Sequence, residues 1–335
     1  MDVRFVRVRR LVGRSSHRQR PSLASVVQTP SRARIWRIGP LGQMPRRERC
    51  PLCESPVTPV GTKLGDTSGL RFQVVRCRAC RFAFVADPWV DFDRIYSEEY
   101  YAGQGADPLV SYAYEDRHPD TTVRTYEWRG LVERVNSLTT LRPETTWLDY
   151  GCGTGGLVRH LHRNGLPNAL GSEHGASLER LVERGIPVLP PDDFDSARGR
   201  FDVVTAIEVI EHVVDPVVEL ERIRALLRPG GLVFLTTGNA KPYSERLLKW
   251  TYLKPEIHIS LFEPDSLAVA LRRAGLAPHF PGYGPGWTSI IRYKVLKNLR
   301  HRSVGGWERA VPWPLVARAL DLRLGLSAQP VGWAG

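Results

Sequence analysis

Trp147-Leu148-Asp149-Tyr150-Gly151-Cys152-Gly153-Thr154-Gly155-Gly156 is the stretch that decides the fold. Its first four residues read as a short buried strand, and Leu157, Val158 and Leu161 open a helix directly after the glycines. A glycine-rich strand-to-helix turn lets the backbone approach a ligand closely. It also aims the free N–H groups of the helix N-terminus at anionic parts of that ligand. Strand and helix signals keep alternating over residues 146–282. That pattern predicts an α/β domain with a doubly wound, Rossmann-like parallel sheet and crossover helices.

Which ligand the turn serves is not set by the glycines alone. Gly151, Gly153 and Gly156 also satisfy G-x-G-x-x-G, the dinucleotide fingerprint. Asp149 shifts the balance. A carboxylate two residues before the first glycine would crowd a pyrophosphate but suits a ligand carrying an ammonium and a sulfonium. A second strand then ends in Glu173, about where an acceptor for a ribose diol belongs. A third buried run, residues 201–207, leads into the polar turn Glu208-Val209-Ile210-Glu211-His212.

Taken together, D-x-G-C-G-T-G at 149–155, Glu173, and F-D-V-V-x-x-x-E-V-x-E-H-V-x-D-P at 201–216 resemble the class I S-adenosylmethionine-dependent methyltransferases. The likeness is strongest to the branch containing quinone-biosynthesis O-methyltransferases. Arg228-Pro229-Gly230-Gly231 resembles that branch's turn into its fifth strand, and Thr236-Thr237-Gly238-Asn239 resembles its T-T-P-N, with Gly238 in place of proline. The resemblance covers residues 146–280 and implies S-adenosylmethionine as cofactor. It implies that Gly151, Gly153 and Gly155 lie under the methionine part and that Asp149 holds the loop and the amino group. It further implies that Glu173 accepts from the ribose hydroxyls and that Asp193, or its neighbour Asp192, meets the adenine amino group. Ile207 would contact the cofactor through its backbone.

Four of the five cysteines form two C-x-x-C pairs, Cys50/Cys53 and Cys77/Cys80, with 23 residues between them. Each pair can present two thiolates from one tight turn, and two pairs complete a tetrahedron around a structural zinc ion. Arg49, Arg76, Arg78 and Arg81 lie beside these turns, where they can offset the excess negative charge of four thiolates. A thioredoxin-type redox site would need one pair beside a βαβ unit instead. The bland companion reading is that the module only staples the N-terminal region. Paired C-x-x-C turns followed by Tyr96, Tyr100 and Tyr101 resemble sugar C-methyltransferases of deoxysugar pathways. That family carries a basic histidine in an E-H-x-x-x-F-S segment. Ile257-His258-Ile259-Ser260-Leu261-Phe262 matches at His258 and Phe262 but has Ile257 at the glutamate position, with Glu256 one residue early.

Methyl transfer from a sulfonium needs alignment and, for an oxygen or carbon nucleophile, removal of a proton. His258 and His212 are the candidates, since histidine titrates near neutrality. For His212 a structural role, capping a helix or binding a glutamate, is an equal alternative. Glu208, Glu211 and a histidine form a candidate divalent-metal set. Tyr243, Trp250 and Tyr252 offer flat surfaces for a cover or simply core. The expected acceptor is a hydroxyl or acidic carbon of a small molecule: a sugar, lipid-linked or polyketide-like metabolite. Methylation of base amines is disfavoured, because Ile207-Glu208-Val209-Ile210 stands where such enzymes carry an N/D-P-P-Y-like turn.

The chain of 335 residues divides into a basic leader (1–44), a four-cysteine module (45–95), a tyrosine-rich and helical connector (96–145), the cofactor domain (146–282) and a C-terminal extension (283–335). The connector's Val123, Leu131, Val135, Leu138 and Leu141 recur on one helix face. Net charge is +12, but residues 1–43 hold ten arginines and one aspartate, which leaves only +3 for the remainder. The leader is expected to be disordered. Met44 offers an alternative start, and a basic arm touching nucleic acid or lipid is the functional alternative. An RNA methyltransferase with a zinc-ribbon reader fits the arginines but not the distribution of charge. A non-enzymatic cofactor-binding module is a third reading. No apolar run reaches the roughly 18 residues of a bilayer span, and the arginine-rich start lacks a secretory apolar core, so a cytoplasmic protein is expected. Ile290, Ile291, Val295, Leu296 and Leu299, with Arg292, Lys294, Lys297 and Arg300, form either a peripheral membrane helix or one packed on its own domain.

Overall fold

The computed structural model describes residues 42–90, 95 and 112–324, and the backbone of 3–10. Strands are β1 (Val3–Arg10), β2 (Val57–Leu64), β3 (Arg71–Cys77), β4 (Ala83–Val85), β5 (Trp147–Tyr150), β6 (Ala169–Ser172), β7 (Phe201–Ile207), β8 (Leu227–Gly238), β9 (Ser260–Leu261) and β10 (Leu276–His279). Helices are α1 (Tyr112–Arg117), α2 (Arg124–Asn136), α3 (Gly156–Arg163), α4 (Gly175–Glu183), α5 (Pro216–Leu226), α6 (Pro264–Arg273), α7 (Trp287–Asn298) and α8 (Trp313–Leu324).

The decisive strand β5 is buried at every position, as a parallel strand covered on both faces must be. It pairs in parallel with β6 on one side and β7 on the other, and β7 pairs in parallel with β8. Strand order therefore reverses at β5. Ligands of open α/β sheets bind in the crevice beyond the strand ends at such a switch point. The Asp-Pro that closes the 201–216 motif is a helix start. Asp215 caps α5 by accepting from Val218 N–H, and Pro216 takes the first turn, where no N–H is needed.

The sheet has six strands in the order β10-β1-β8-β7-β5-β6. β1 corrects the expectation of a disordered leader over residues 3–10. It runs antiparallel between β8 and β10, with Val3 opposite Gly238 and Arg7 opposite both Phe234 and His279. Two long-range ladders fix this segment, which local periodicity did not mark. Residues 11–41 of the leader lie outside the described residues, as do Tyr96, Tyr100, Tyr101 and residues 325–335.

One sheet face is covered by α2, α3, α7 and α8, through Leu131, Val135, Leu157, Leu161, Ile290 and Ala317. Helix α7 thus buries Ile290, Ile291 and Leu296 in its own domain, so its apolar stripe is not a membrane face. No helix among the described residues is long and apolar enough to cross a membrane. The other face packs against α5, α6 and the cysteine module, whose Leu52, Val75, Phe82 and Phe84 join Leu148, Phe201 and Phe262 in one core.

Candidate active site

The cysteine turns are built alike. The residue after each pair, Glu54 and Arg81, has positive φ (59° and 63°), and its N–H donates back to Cys50 or Cys77 carbonyl oxygen. This brings Cys50 Sγ to 3.5 Å from Cys80 Sγ and Cys53 Sγ to 3.4 Å from Cys77 Sγ, without a disulfide. All four sulfurs lie within 4.8 Å of one another. This donor set fits one zinc ion. Three of the four arginines expected to offset thiolate charge have other partners. Arg81 makes a two-point contact with Glu263 (2.9 and 3.1 Å), Arg76 donates to Ser244 carbonyl oxygen, and Arg49 to that of Glu54. Two of these contacts dock the module on the cofactor domain.

The module reaches further. Its sheet runs β2-β3-β4-β9, and β9 begins two residues after His258. Ala83 pairs with Leu261 and Phe84 with Ser260. Ile259 N–H donates to Glu211 carbonyl oxygen, and Ser260 Oγ to that of Val213. Glu256 is not a displaced catalytic acid. Its carboxylate accepts from the N–H groups of Asp66, Thr67 and Ser68, holding the turn between β2 and β3. The segment carrying His258 is therefore clamped by the cysteine module on both sides.

The glycine loop leaves β5 with Gly151, Gly153 and Gly155 all at positive φ (72°, 56° and 73°). A Cβ at Gly151 would meet Val209 at 2.7 Å, so this turn packs on the 208–212 turn. A Cβ at Gly153 meets nothing nearer than Tyr112 at 3.6 Å, which leaves room over the loop. Glu173, at the end of β6, accepts from Gly153 N–H at 2.9 Å and from His174 N–H at 3.1 Å. Burial raises its pKa against the pull of those two donors. Asp149 is buried beneath the loop and accepts from Thr205 hydroxyl at 2.8 Å. Burial pushes it up to about 7, so a nearby cation would favour its ionised form. Room above Gly153, an acid at the second strand end and a buried acid below fit a ribose-bearing cationic cofactor. Asp192 and Asp193 are exposed in a short 3-10 turn, and Ile207 closes β7 opposite Thr236.

Beyond β7 the charged groups converge. Glu208 has φ +54°, a left-handed conformation costly for a side chain this size. It accepts from Thr236 hydroxyl at 3.0 Å and Tyr252 hydroxyl at 2.9 Å. Tyr252 hydroxyl also contacts Glu211 and receives Gly238 N–H. Lys294 approaches from α7, 3.8 Å from Glu208 and 3.5 Å from Glu127. Burial alone would raise Glu208, but Lys294 and Lys297 outweigh it and hold this carboxyl below the usual range. Burial and the adjacent Glu208 push Glu211 up to about 8. His258 Nδ1 donates to Tyr252 carbonyl oxygen at 2.5 Å, which leaves the lone pair on Nε2. The His258 ring stacks on Tyr252 (4.1 Å) and meets His212 edge-on (4.9 Å). Trp250 stacks on Tyr252, and Tyr243 on Trp250. The expected aromatic surfaces are thus a column behind His258. Glu211, His212 and His258 hold three ligand-type atoms within 4.8 Å of one another, and Glu211 Oε2 is buried without a hydrogen-bond partner.

Comparison with known proteins matches residues 121–279 to a family described as a methyltransferase domain. Residues 121–279 are thus similar to methyltransferase domains. Among curated relatives of this domain, ubiquinone biosynthesis O-methyltransferase of Cereibacter sphaeroides is 33% identical over 39% of the chain and 60% of its own length. That of Bordetella pertussis is 33% identical over 39% and 61%. The chain thus spans about three fifths of the length of the curated relatives it matches. A solved S-adenosylmethionine-dependent methyltransferase from Mesorhizobium loti overlays with a TM-score of 0.39 at 19% identity, covering 53% of this chain and 96% of that one.

The site also recruits groups that sequence reading missed. Lys294 belongs to a helix whose sequence suits either a membrane surface or packing on its own domain, and only the packing of α7 on α2 brings it to Glu208. Tyr252 was read as a flat surface; its hydroxyl is the junction of two carboxylates. Gly238 held the one local signal. A Cβ there would sit 2.3 Å from the Tyr252 ring, so the missing proline of T-T-P-N marks where that ring lies.

Proposed function

We propose that this chain transfers a methyl group from S-adenosylmethionine to a hydroxyl or acidic carbon of a small molecule, with His258 as the base. The observation that carries this reading is His258: Nδ1 bonded to a carbonyl, ring braced by Tyr252, beside the turn that packs on the glycine loop. The cofactor supplies an activated methyl group and its leaving group. Gly151, Gly153 and Gly155 bed its methionine part, Asp149 answers its positive charge, Glu173 accepts from its ribose hydroxyls, and Asp193 meets the adenine. Ile207 lines it through the backbone. His258 Nε2 takes the proton from the acceptor as the methyl group arrives, and His212 orients the same face. Cys50, Cys53, Cys77 and Cys80 hold a structural zinc ion that keeps β9, and with it His258, in register.

The acceptor class is a sugar, lipid-linked or polyketide-like metabolite, and the relatives' naming as O-methyltransferases favours oxygen over carbon. The orphaned Glu211 Oε2 beside two imidazoles supports an alternative in which His258 is not the base: a divalent cation held by Glu211, His212 and His258, which would take the same Nε2 lone pair. Such an ion would bind acceptor oxygens and acidify them. An acceptor screen with wild type and His258→Ala tests both. The variant should lose about 10²- to 10⁴-fold in turnover, the usual worth of a general base, while keeping its affinity for S-adenosylhomocysteine. Unchanged turnover contradicts the base. Turnover of the zinc-loaded chain that resists EDTA contradicts the divalent cation.

A further inference from the structure

Away from the cofactor loop, a cavity of about 500 Å³ opens between α2, α3, α7 and the turn at residues 307–310. It is within the size range of small-molecule sites. Five guanidinium groups line it: Arg129, Arg159, Arg163, Arg292 and Arg309. Asp120 is the one carboxylate among its lining residues, and it is already paired with Arg163. Asp149, Gly151, Gly153 and Glu173 do not line it.

The arrangement is built rather than incidental. Helix α3 buries Leu157, Val158 and Leu161 in the core, while Gly156, Arg159, His160 and Arg163 form the opposite stripe and face the cavity. That stripe runs about 10 Å along the helix. A Cβ at Gly156 would meet the Trp128 ring at 2.2 Å, so the wall at this end requires glycine. Arg292 is fixed with its guanidinium 3.8 Å from the Tyr126 ring centroid, and Arg129 approaches the same ring at 6.0 Å.

Several of these cations lack counter-charges in hydrogen-bond reach. Arg159 Nε and one of its terminal nitrogens, and Arg292 Nε, are buried without a hydrogen-bond partner among the described residues. Arg159 lies 3.9 Å from Asp116, which pairs instead with Arg184 at 2.7 Å. One terminal nitrogen of Arg292 donates to the Glu308 carboxylate at 3.5 Å and carbonyl oxygen at 3.4 Å, and that carboxylate is shared with Tyr126 and Gly305 N–H. Burial and Arg129 together depress the pKa of His160, as a net positive surrounding must. Buried guanidinium donors left unpaired are costly, and a planar fork is matched best by phosphate or carboxylate.

We propose that this cavity is a second ligand site, which binds a small molecule through two adjacent phosphate groups. Its length along α3, and the four guanidiniums that Asp120 does not pair with, exceed what one phosphate can engage. Its concavity favours a compact ligand over a nucleic-acid strand, whose backbone would track an open groove.

The test is isothermal titration of the full-length, zinc-loaded chain with inorganic pyrophosphate, inorganic phosphate, ADP and an oligouridine. The proposal expects one-to-one binding of pyrophosphate, tighter than phosphate. ADP binding as tightly as pyrophosphate assigns recognition to the phosphates alone, and tighter ADP binding adds a contact to the nucleoside; both support the site. Arg129→Gln with Arg309→Gln removes two exposed guanidiniums outside the cofactor site. It should weaken pyrophosphate about tenfold or more, as lost charge-assisted hydrogen bonds do, and leave S-adenosylhomocysteine affinity unchanged. That unchanged affinity shows the variant is folded and keeps this result separate from the methyl-transfer reading. No pyrophosphate binding, equal binding by the variant, or oligouridine binding that pyrophosphate does not displace would overturn the proposal.

Discussion

At Asp149 the fold and the proposed cofactor make opposite demands on one carboxyl. Its carboxyl is buried under the glycine loop, with Thr205 hydroxyl as donor, and burial lifts its pKa to about 7. A folded-state pKa raised above the unfolded value gives stability that is present at low pH and lost as pH rises through about 7. Asp149→Asn should therefore make the cofactor-free chain more stable than wild type at mildly alkaline pH, as read by thermal melts. In the proposed site the cofactor's ammonium would favour the ionised carboxylate, so wild-type affinity for S-adenosylhomocysteine should rise as pH increases through about 7. In the variant that rise should vanish. A pH-independent wild-type affinity would remove Asp149 from the cofactor's surroundings. The residue's place in a buried strand, two positions before Gly151, was legible; its hydroxyl partner was not, because Thr205 lies 56 positions away.

At the scale of elements, the cysteine module and β9 form one sheet, and β9 carries the segment that ends in His258. The pairs Ala83–Leu261 and Phe84–Ser260, the Val85 N–H to Ile259 contact and the Glu256 clasp make module order a condition for histidine placement. The glycine loop and Glu173 lie on β5 and β6, which the module does not pair with. Stripping zinc with a strong chelator should lower turnover by about ten- to a hundredfold, the scale of a lost supporting contact at a site. Affinity for S-adenosylhomocysteine should change little. Equal loss of both would mean that the module stabilises the whole domain without favouring the acceptor side. The paired C-x-x-C spacing made the four-thiol cluster readable. The clasp was not readable, since Glu256 and its three backbone donors are far apart in sequence and share no periodic signal.

Across the whole molecule, the two ends of the chain complete what the central motifs begin. Lys294, on a helix near the C-terminal end, supplies the cation that faces Glu208. β1, near the other end, fills the sheet between β8 and β10. A chain beginning at Met44 would leave two strand edges unpaired, which invites association. Its melting temperature should fall by on the order of 5 °C or more, and light scattering should detect association. A melt unchanged from full length would show that β1 contributes nothing to the sheet. Neither contribution was legible locally. β1 is decided by ladders to strands more than 200 positions away, and Lys294 by packing of α7 on α2. The central domain was legible because its loop, acids and glycines sit at fixed spacings along consecutive strands. The most direct test of the account is isothermal titration of the zinc-loaded full-length chain with S-adenosylhomocysteine, comparing wild type with Glu173→Ala. The account predicts micromolar binding that the substitution weakens about tenfold or more, the worth of a charged hydrogen-bond acceptor. Absence of binding by folded, zinc-loaded wild type would contradict it.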